Sequence, residues 1–481
     1  MTEVLHEGLR VVTGLTLGYF VVLNLIYTGL LVIGWRAVED YVRRRPLRDY
    51  EAVGRSPLSM PVTILVPAYN EGPVIADAVR ALLGSQFLEL EIMVVNDGST
   101  DDTLDVMVRE FGMVSVERVP RARIPSAAVR QVLVSPTESR VVVVDKANGG
   151  KADALNAGLT YARYPLVCAI DGDTLLDPGA LARLVWEFQS APETVAVGGI
   201  VRIVNGSDVR AGRLLEVRTP KGLLVNMQIL EYLRAFLGGR IAWSRLGMLV
   251  IISGAFGLFR RDALVEVGGW DTTTVGEDAE LILRLHRRRR EAGQPCRVTF
   301  FPDPICWTEA PSSLRVLIRQ RDRWQRGTIE MLQRHRAMIG RRRYGAVGMI
   351  ALPYFVVFEL FGPTIELLGL LAFGVALAVG AFSPTYAVVF MLITVVYGLV
   401  LSFGVLLMEQ RAFRRYPDWR DLRRLILVAL LENLIWRQFM SFVRVRSWWT
   451  LWRGRRHGHQ WGEMTRVGFG APAEPANKEA P

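Results

Sequence analysis

The chain has 481 residues, 51% of them hydrophobic, with 58 Lys and Arg against 47 Asp and Glu, a formal balance of +11. Length accommodates about two to four domains, and the hydrophobic share is near the globular average. Yet residues 11–35 and 367–408 contain no charge at all, and each run exceeds the ~20 residues a helix needs to cross a bilayer, which excludes a wholly soluble protein and a disordered one.

In chain order, residues 1–10 set Glu3 and Glu7 against Arg10, a poor leading segment for a cleaved signal peptide. They are expected to lie outside the membrane, ahead of an uncleaved anchor at 11–35. A basic linker, 36–58, carries Arg43, Arg44, Arg45 and Arg48.

Residues 59–310 are polar enough for a cytosolic domain. Short apolar runs at 62–66, 91–95, 141–144, 166–170 and 195–204 predict buried strands, and 74–83, 102–111, 152–161 and 179–189 predict helices between them. That alternation predicts an α/β fold with a mostly parallel sheet and ligands at the carboxyl ends of the strands.

Beyond it, 311–345 predicts amphipathic helices at the interface. Residues 346–360 are too short an apolar stretch to cross, so an interfacial or re-entrant helix is expected. Residues 361–382 and 385–408 predict two spans, turned at Ser383-Pro384. Residues 425–449 carry Glu432, Asn433 and Arg437 and read equally as a membrane-associated helix or a fourth span. The end, 450–481, is basic and then disordered in composition. Glu359 and Glu366, at the start of a span, admit a functional role or pairing with interfacial arginines.

The positive surplus could indicate nucleic acid, but the arginines cluster beside the apolar runs, at 43–48, 334–343 and 411–424. That is the pattern of cytoplasmic loops flanking spans, and no nucleic-acid partner is expected. Cys168, Cys296 and Cys306 have neither metal spacing nor an even count, which fits a reducing compartment.

Only four of the 58 basic residues are lysines, and two of them, Lys146 and Lys151, bracket the Gly-rich segment Asp145-Lys-Ala-Asn-Gly-Gly-Lys151 after a strand. In a chain that uses arginine for generic charge, that pair suggests compact cations near a phosphate. Asp171-Gly-Asp173 ends the next strand, where two carboxylates can hold a hard divalent cation. Pro67-Ala-Tyr-Asn-Glu71 and Asn96-Asp-Gly-Ser99 follow strands in the same way. Together the four loops would line one edge of one sheet. Later, Asp278 in Gly276-Glu-Asp-Ala279 opens a helix, as an N-terminal cap would. Arg319-Gln-Arg-Asp-Arg-Trp-Gln-Arg326 forms a basic amphipathic stretch with one tryptophan.

The order PAYNE, NDGS, KANGGKADALN, DGD, SGAFGLFR, GED and QRDRW resembles membrane-bound family 2 glycosyltransferases, particularly the processive synthases of cellulose, chitin, hyaluronan and poly-N-acetylglucosamine. The resemblance covers about residues 61–327 and the flanking membrane helices. It implies a GT-A-type nucleotide-sugar domain, a UDP-sugar donor, a growing polysaccharide or lipid acceptor, Mg²⁺ or Mn²⁺, the inner membrane of a bacterium with the catalytic domain cytosolic, and accessory export subunits.

Residue by residue, the resemblance places Pro67, Ala68, Asn70, Glu71 and Asp97 at the nucleoside and Lys151 at the diphosphate. Asp171 and Asp173 match the metal-binding pair, Asp173 the better ligand and a catalytic residue. Asp278 matches the general base. Gln320, Arg323 and Trp324 match the element holding diphosphate and acceptor, and Gly254 and Glu277 belong to the acceptor side. Asn96 stands where many relatives have aspartate, so it is given no charged role.

Overall fold

In a computed structural model the described residues are 2–452, apart from 211 and 382. The basic and disordered tail expected at 450–481 lies almost wholly outside them. Twelve strands occur: β1 (Val62–Ala68), β2 (Leu90–Asp97), β3 (Val114–Val116), β4 (Val129–Val134), β5 (Val141–Lys146), β6 (Leu166–Ile170), β7 (Leu175–Leu176), β8 (Thr194–Ile203), β9 (Asp208–Arg210), β10 (Arg213–Glu216), β11 (Phe256–Arg260) and β12 (Arg297–Thr308). Ten form one sheet in the order β3-β4-β5-β2-β1-β6-β11-β8-β12-β7, and β9 and β10 form a separate hairpin.

The centre of the sheet, β5-β2-β1-β6, is wholly parallel. Its strands are rich in Val, Ile and Leu and buried along nearly their whole length, as strands covered on both faces must be, and the two buried polar side chains near their starts, Thr63 and Glu91, hydrogen-bond each other at 2.8 Å. Helices α1 (Thr2–Arg44), α2 (Ile75–Leu83), α3 (Thr103–Phe111) and α4 (Lys151–Tyr161) precede or connect these strands, and α5 (Ala180–Ser190) follows them and leads to β8. The expected strands and helices of this half hold to within two residues at each end. Pairing on the flanks is mixed: β4 runs antiparallel to β5 and β11 antiparallel to both β6 and β8, while β12 runs parallel to β8. The sheet is therefore mixed around a parallel core.

Among the described residues three helices, His6–Leu47, Pro384–Ala412 and Trp419–Trp448, are long and apolar enough to cross a membrane. A further pair, Val347–Leu360 and Gly362–Ala378, is bent by 42° and passes the same test together. The turn between 361–382 and 385–408 falls where Ser383 was expected to place it, its Oγ accepting from the Tyr386 N–H at 3.3 Å. Glu366 pairs with Arg437 at 2.6 Å and Glu359 with Arg444 at 3.2 Å, so these two carboxylates are neutralised within the bundle.

Three polar contacts, each with at least one buried partner, fasten the sheet domain to those helices. Arg202 of β8 pairs with Glu409, Arg234 pairs with Glu432 at 2.7 Å, and the Thr219 hydroxyl donates to Asp421 at 2.5 Å.

Candidate active site

Parallel pairing puts the carboxyl ends of β1, β2, β5 and β6 at one edge, and loops 67–71, 96–99, 145–151 and 171–173 leave the sheet there. The first two loops are knitted together. Asn70 sits at φ 55°, a left-handed conformation asparagine tolerates, and its side-chain oxygen accepts from the Thr100 N–H at 2.8 Å. The backbone N–H groups of Asn70, Glu71 and Gly72 donate to Ser99, Thr103 and Asp101 at 3.0, 2.9 and 3.1 Å.

Asp97 holds the third loop. Its carboxylate accepts from the Gly149 and Gly150 N–H groups at 3.0 and 2.7 Å and pairs with Lys146. Lys146 also reaches Asp153 at 2.6 Å and is fully buried. The lysine pair expected at a phosphate is therefore corrected: Lys146 is an internal strut, and Lys151 alone reaches the open edge. Asn96 donates to Asp145 at 2.8 Å, a structural contact consistent with no charged role.

Lys151 opens α4 and pairs with Asp171, with Glu277 at 3.8 Å and with the Gly254 carbonyl at 3.0 Å. Burial pulls its ammonium pKa down, but Asp171 and Glu277 outweigh this and hold it above the ordinary lysine range. Burial also pushes the Glu277 carboxyl up, against the pull of Lys151 and with the help of Asp278. Antiparallel β11 starts at this same edge, since Phe256 stands opposite Ile170, and so it delivers Gly254 to the end of β6.

Gly254 is the joint of the site. Its N–H donates to Asp278 Oδ2 at 2.9 Å while its carbonyl accepts from Lys151. A Cβ there would stand 3.3 Å from the Asp278 carboxylate and 3.4 Å from the Lys151 nitrogen, so a side chain would crowd both. The pocket between them is walled by Leu155, Ser253, Phe259 and Trp270. Asp278 lies in the first turn of α7 (Glu277–Glu291), its Oδ1 accepting from the Ala279 N–H at 2.8 Å. The first turn of the helix thus orients the carboxylate, but Asp278 is not its cap: that place is taken by Gly276, without a side-chain capping bond.

The basic amphipathic stretch forms α8 (Leu314–Arg334). It crosses the start of α7 at two glycines. A Cβ on Gly276 would fall 2.9 Å from the Gly327 Cα, and one on Gly327 would fall 3.0 Å from the Gly276 Cα. Backbone meets backbone, which brings Gln320, Arg323 and Trp324 onto a helix that abuts the segment carrying Asp278. Trp324 is 43% exposed, with Arg321 stacked over its ring at 4.1 Å and Tyr232 at 6.5 Å. Arg321, which carries no site role in the sequence reading, pairs with Glu231 at 2.8 Å and fixes that tryptophan.

Asp171 and Asp173 supply hard oxygen donors from one turn at the end of β6. Among the described residues no cluster of three His, Cys, Asp or Glu side chains is placed to hold a metal. Two carboxylates suit a Mg²⁺-like ion that keeps water and takes oxygens from a substrate diphosphate. The donor set fits such an ion as a site shared with substrate, not as a closed protein cage.

The parallel core presents its loops at one edge, and antiparallel β11 meets the carboxylate-bearing helix at the same place, in a mixed α/β sheet with a mostly parallel core. The description "Glycosyl transferase family 2" matches residues 63–268, and "Glycosyl transferase family group 2" matches residues 166–401. The chain carries family 2 glycosyltransferase domains.

Among curated proteins, the poly-beta-1,6-N-acetyl-D-glucosamine synthase of Staphylococcus aureus is 31% identical over 275 residues, 57% of this chain and 56% of the relative. The Staphylococcus epidermidis enzyme of the same name is 29% identical over 278 residues, again 57% of this chain and 56% of the relative. The chain thus spans about half the length of the curated relatives it matches. Among solved structures, a mannosyltransferase from Pyrobaculum calidifontis in complex with GDP-Man and Mn²⁺ superposes with a TM-score of 0.48 at 19% identity, covering 86% of this chain and 99% of that one. Staphylococcus aureus TarS 1-349 with UDP-GlcNAc gives 0.38 at 13% identity, covering 77% and 90%.

Proposed function

We propose that the chain is an inverting glycosyltransferase that moves a sugar, N-acetylglucosamine, from a UDP donor to a growing β-linked polysaccharide at a membrane. The observation that carries this reading is the opposed placement of Lys151 and Asp278 across Gly254, a cation and a carboxylate on either side of one narrow pocket. The similarity to poly-N-acetylglucosamine synthases supports the choice of sugar and product.

The nucleoside end of the donor lies against Pro67, Ala68, Asn70, Glu71 and Asp97, and the diphosphate extends towards Lys151. An acceptor hydroxyl enters on the Asp278 side. As its oxygen bonds to the anomeric carbon, Asp278 takes its proton, and the bond from that carbon to the diphosphate oxygen breaks on the opposite face. Lys151 and Arg323 stabilise the charge gathering on the leaving UDP by standing in place before it forms, and Gln320 helps hold the diphosphate. Trp324 offers a ring face to the acceptor sugar. A divalent ion, Mg²⁺ or Mn²⁺, held by Asp173 with Asp171 would neutralise further diphosphate charge. Attack opposite the leaving group converts an α-linked donor to a β-linked product.

The arginines beside the spans orient the domain to the cytosol, with the chain multi-pass in the inner membrane of a bacterium, the bilayer as its surroundings and export subunits as candidate partners. The test is a donor screen on detergent-purified protein with Mg²⁺ or Mn²⁺, reading UDP release and product length for wild type and Asp278→Asn. UDP-N-acetylglucosamine should give a polymer, and Asp278→Asn should lower turnover by about 10²- to 10⁴-fold, the range general-base catalysis supplies. A product one sugar long on a lipid would replace the polymer reading with single transfer. Equal turnover by the two proteins would remove Asp278 as base.

A further inference from the structure

Helix α8 meets the site with one continuous face. Gln320, Arg323, Trp324, Gly327, Glu330 and Arg334 follow one another at spacings of one, three or four residues along it, which places them on a single stripe. The first half of the stripe carries the residues proposed to hold diphosphate and acceptor. It is braced by helix α6 (Leu223–Leu233), whose Glu231 pairs with Arg321 and whose Tyr232 meets Trp324. The second half grips the segment 271–276, which leads into Asp278.

Glu330 is the centre of that grip. Its Oε2 accepts from the Thr274 hydroxyl at 2.8 Å and from the Val275 N–H at 3.0 Å. The Thr274 hydroxyl oxygen accepts in turn from the Gly276 N–H at 3.3 Å. One carboxylate oxygen thus ties down three consecutive residues, and α7 begins with the next, Glu277. A turn further along α8, Arg334 donates to the Thr273 carbonyl at 3.1 Å and to its hydroxyl at 2.7 Å, and pairs with Asp271. An ionised acceptor makes such bonds stronger than neutral ones. Because the first turn of α7 directs the Asp278 carboxylate, whatever fixes 274–276 fixes the direction of Asp278.

We propose that Glu330 is a positioning residue for the base: through Thr274 and Val275 it sets where α7 starts, and so where Asp278 stands relative to an acceptor held by the same helix. This rests on the role proposed above for Asp278 and adds the residue that aligns it. Glu330 acts only through Asp278 and needs no contact with donor or acceptor. With the acceptor on one half of α8 and the approach to the base on the other, a single rigid element holds the two reacting groups in register.

The test uses the full chain in detergent with Mn²⁺, UDP-N-acetylglucosamine and an N-acetylglucosamine oligosaccharide, and measures kcat, the oligosaccharide KM and, by calorimetry, UDP affinity. Glu330→Met should lower kcat by about 10- to 100-fold, the cost of a small misplacement, with KM and UDP affinity within about twofold of wild type. Glu330→Gln offers an amide oxygen to the same two donors and should keep kcat within about threefold. Placed in the Asp278→Asn chain, Glu330→Met should add less than about twofold, since aligning a base has no value once the base is gone. Thr274→Val removes one of the two donors and covers the case in which Glu330→Met does not fold. It should lower kcat by about three- to tenfold, again only while Asp278 is present. Equal losses in the two backgrounds, a Glu330→Gln chain as slow as Glu330→Met, or a raised oligosaccharide KM at unchanged kcat would each overturn the proposal. Wild type and Asp278→Asn turning over alike would instead defeat the underlying assignment of the base.

Discussion

The two ends of the proposed site, one for the nucleotide and one for transfer, are assembled by different means. The nucleotide end is local: each loop leaves its own strand of the parallel core, and the loops are tied together by backbone N–H groups donating to Ser99, Asp101, Thr103 and Asp97. The transfer end is remote in sequence. It needs antiparallel β11 to deliver Gly254, α7 to aim Asp278, and α8 to cross α7 where two glycines touch. The first end is organised by hydrogen bonds within a rigid sheet edge. The second depends on how closely helices pack, so small changes in packing should harm chemistry before they harm nucleotide binding.

The sharpest challenge to that division is Lys151, which belongs to both ends through Asp171 and Gly254. Lys151→Met should lower turnover by about 10²- to 10³-fold, the cost of removing a preorganised charge from a transition state. It should also weaken UDP binding in calorimetry. Unchanged UDP affinity would place Lys151 with the transfer end alone.

A smaller effect is expected at the glycine crossing. Gly327→Ala puts a methyl against the Gly276 backbone and should displace α8 by a fraction of an ångström. Because small misplacements can cost up to about 10²-fold in rate, transfer should fall by about tenfold or more while UDP affinity stays at the wild-type value. Parallel loss of both would mean that the two ends are not separable.

The smallest effect concerns acid. His286 on α7 is buried and donates from Nε2 to the Leu249 carbonyl at 2.9 Å, and burial lowers its pKa from 6.5 to about 4. Between those two pH values the unfolded chain binds the proton and the folded chain does not. Stability is therefore complete above about pH 6.5 and declines as pH falls towards 4, by up to about 3 kcal/mol. In melting scans at pH 7 and pH 5, His286→Gln should lose less stability on acidification than wild type. An equal loss in both would show that His286 does not set the acid sensitivity of the transfer end.

The same division explains what could be read from the amino-acid order. Strands β1, β2, β5 and β6 are mostly apolar runs followed at once by their polar loops, so Asp97, Lys151, Asp171 and Asp173 stand out with little knowledge of the fold. Direction is harder. Lys146 and Lys151 look equivalent in sequence, and only the Asp97–Asp153 clamp turns the first one inward.

The β11 and β12 flank is less legible for local reasons. β11 contains Gly257, and β12 contains Pro302 and Pro304, where its parallel pairing with β8 shifts register, so both lack the usual marks of a strand.

The pairing of Arg202 with Glu409 bears on how the chain can be divided. Both side chains are almost completely buried, at 2% and 1% exposure, one on the central sheet and the other at the end of a membrane-crossing candidate. A fragment cut before that helix would strand a guanidinium inside the sheet domain, at a cost of about 3–5 kcal/mol. That is a large part of the 5–15 kcal/mol by which folded domains are ordinarily stable. The catalytic unit is thus not a soluble enzyme tethered to an anchor. Its membrane helices complete its interior, and expression of residues 59–310 alone should yield a chain that aggregates or unfolds.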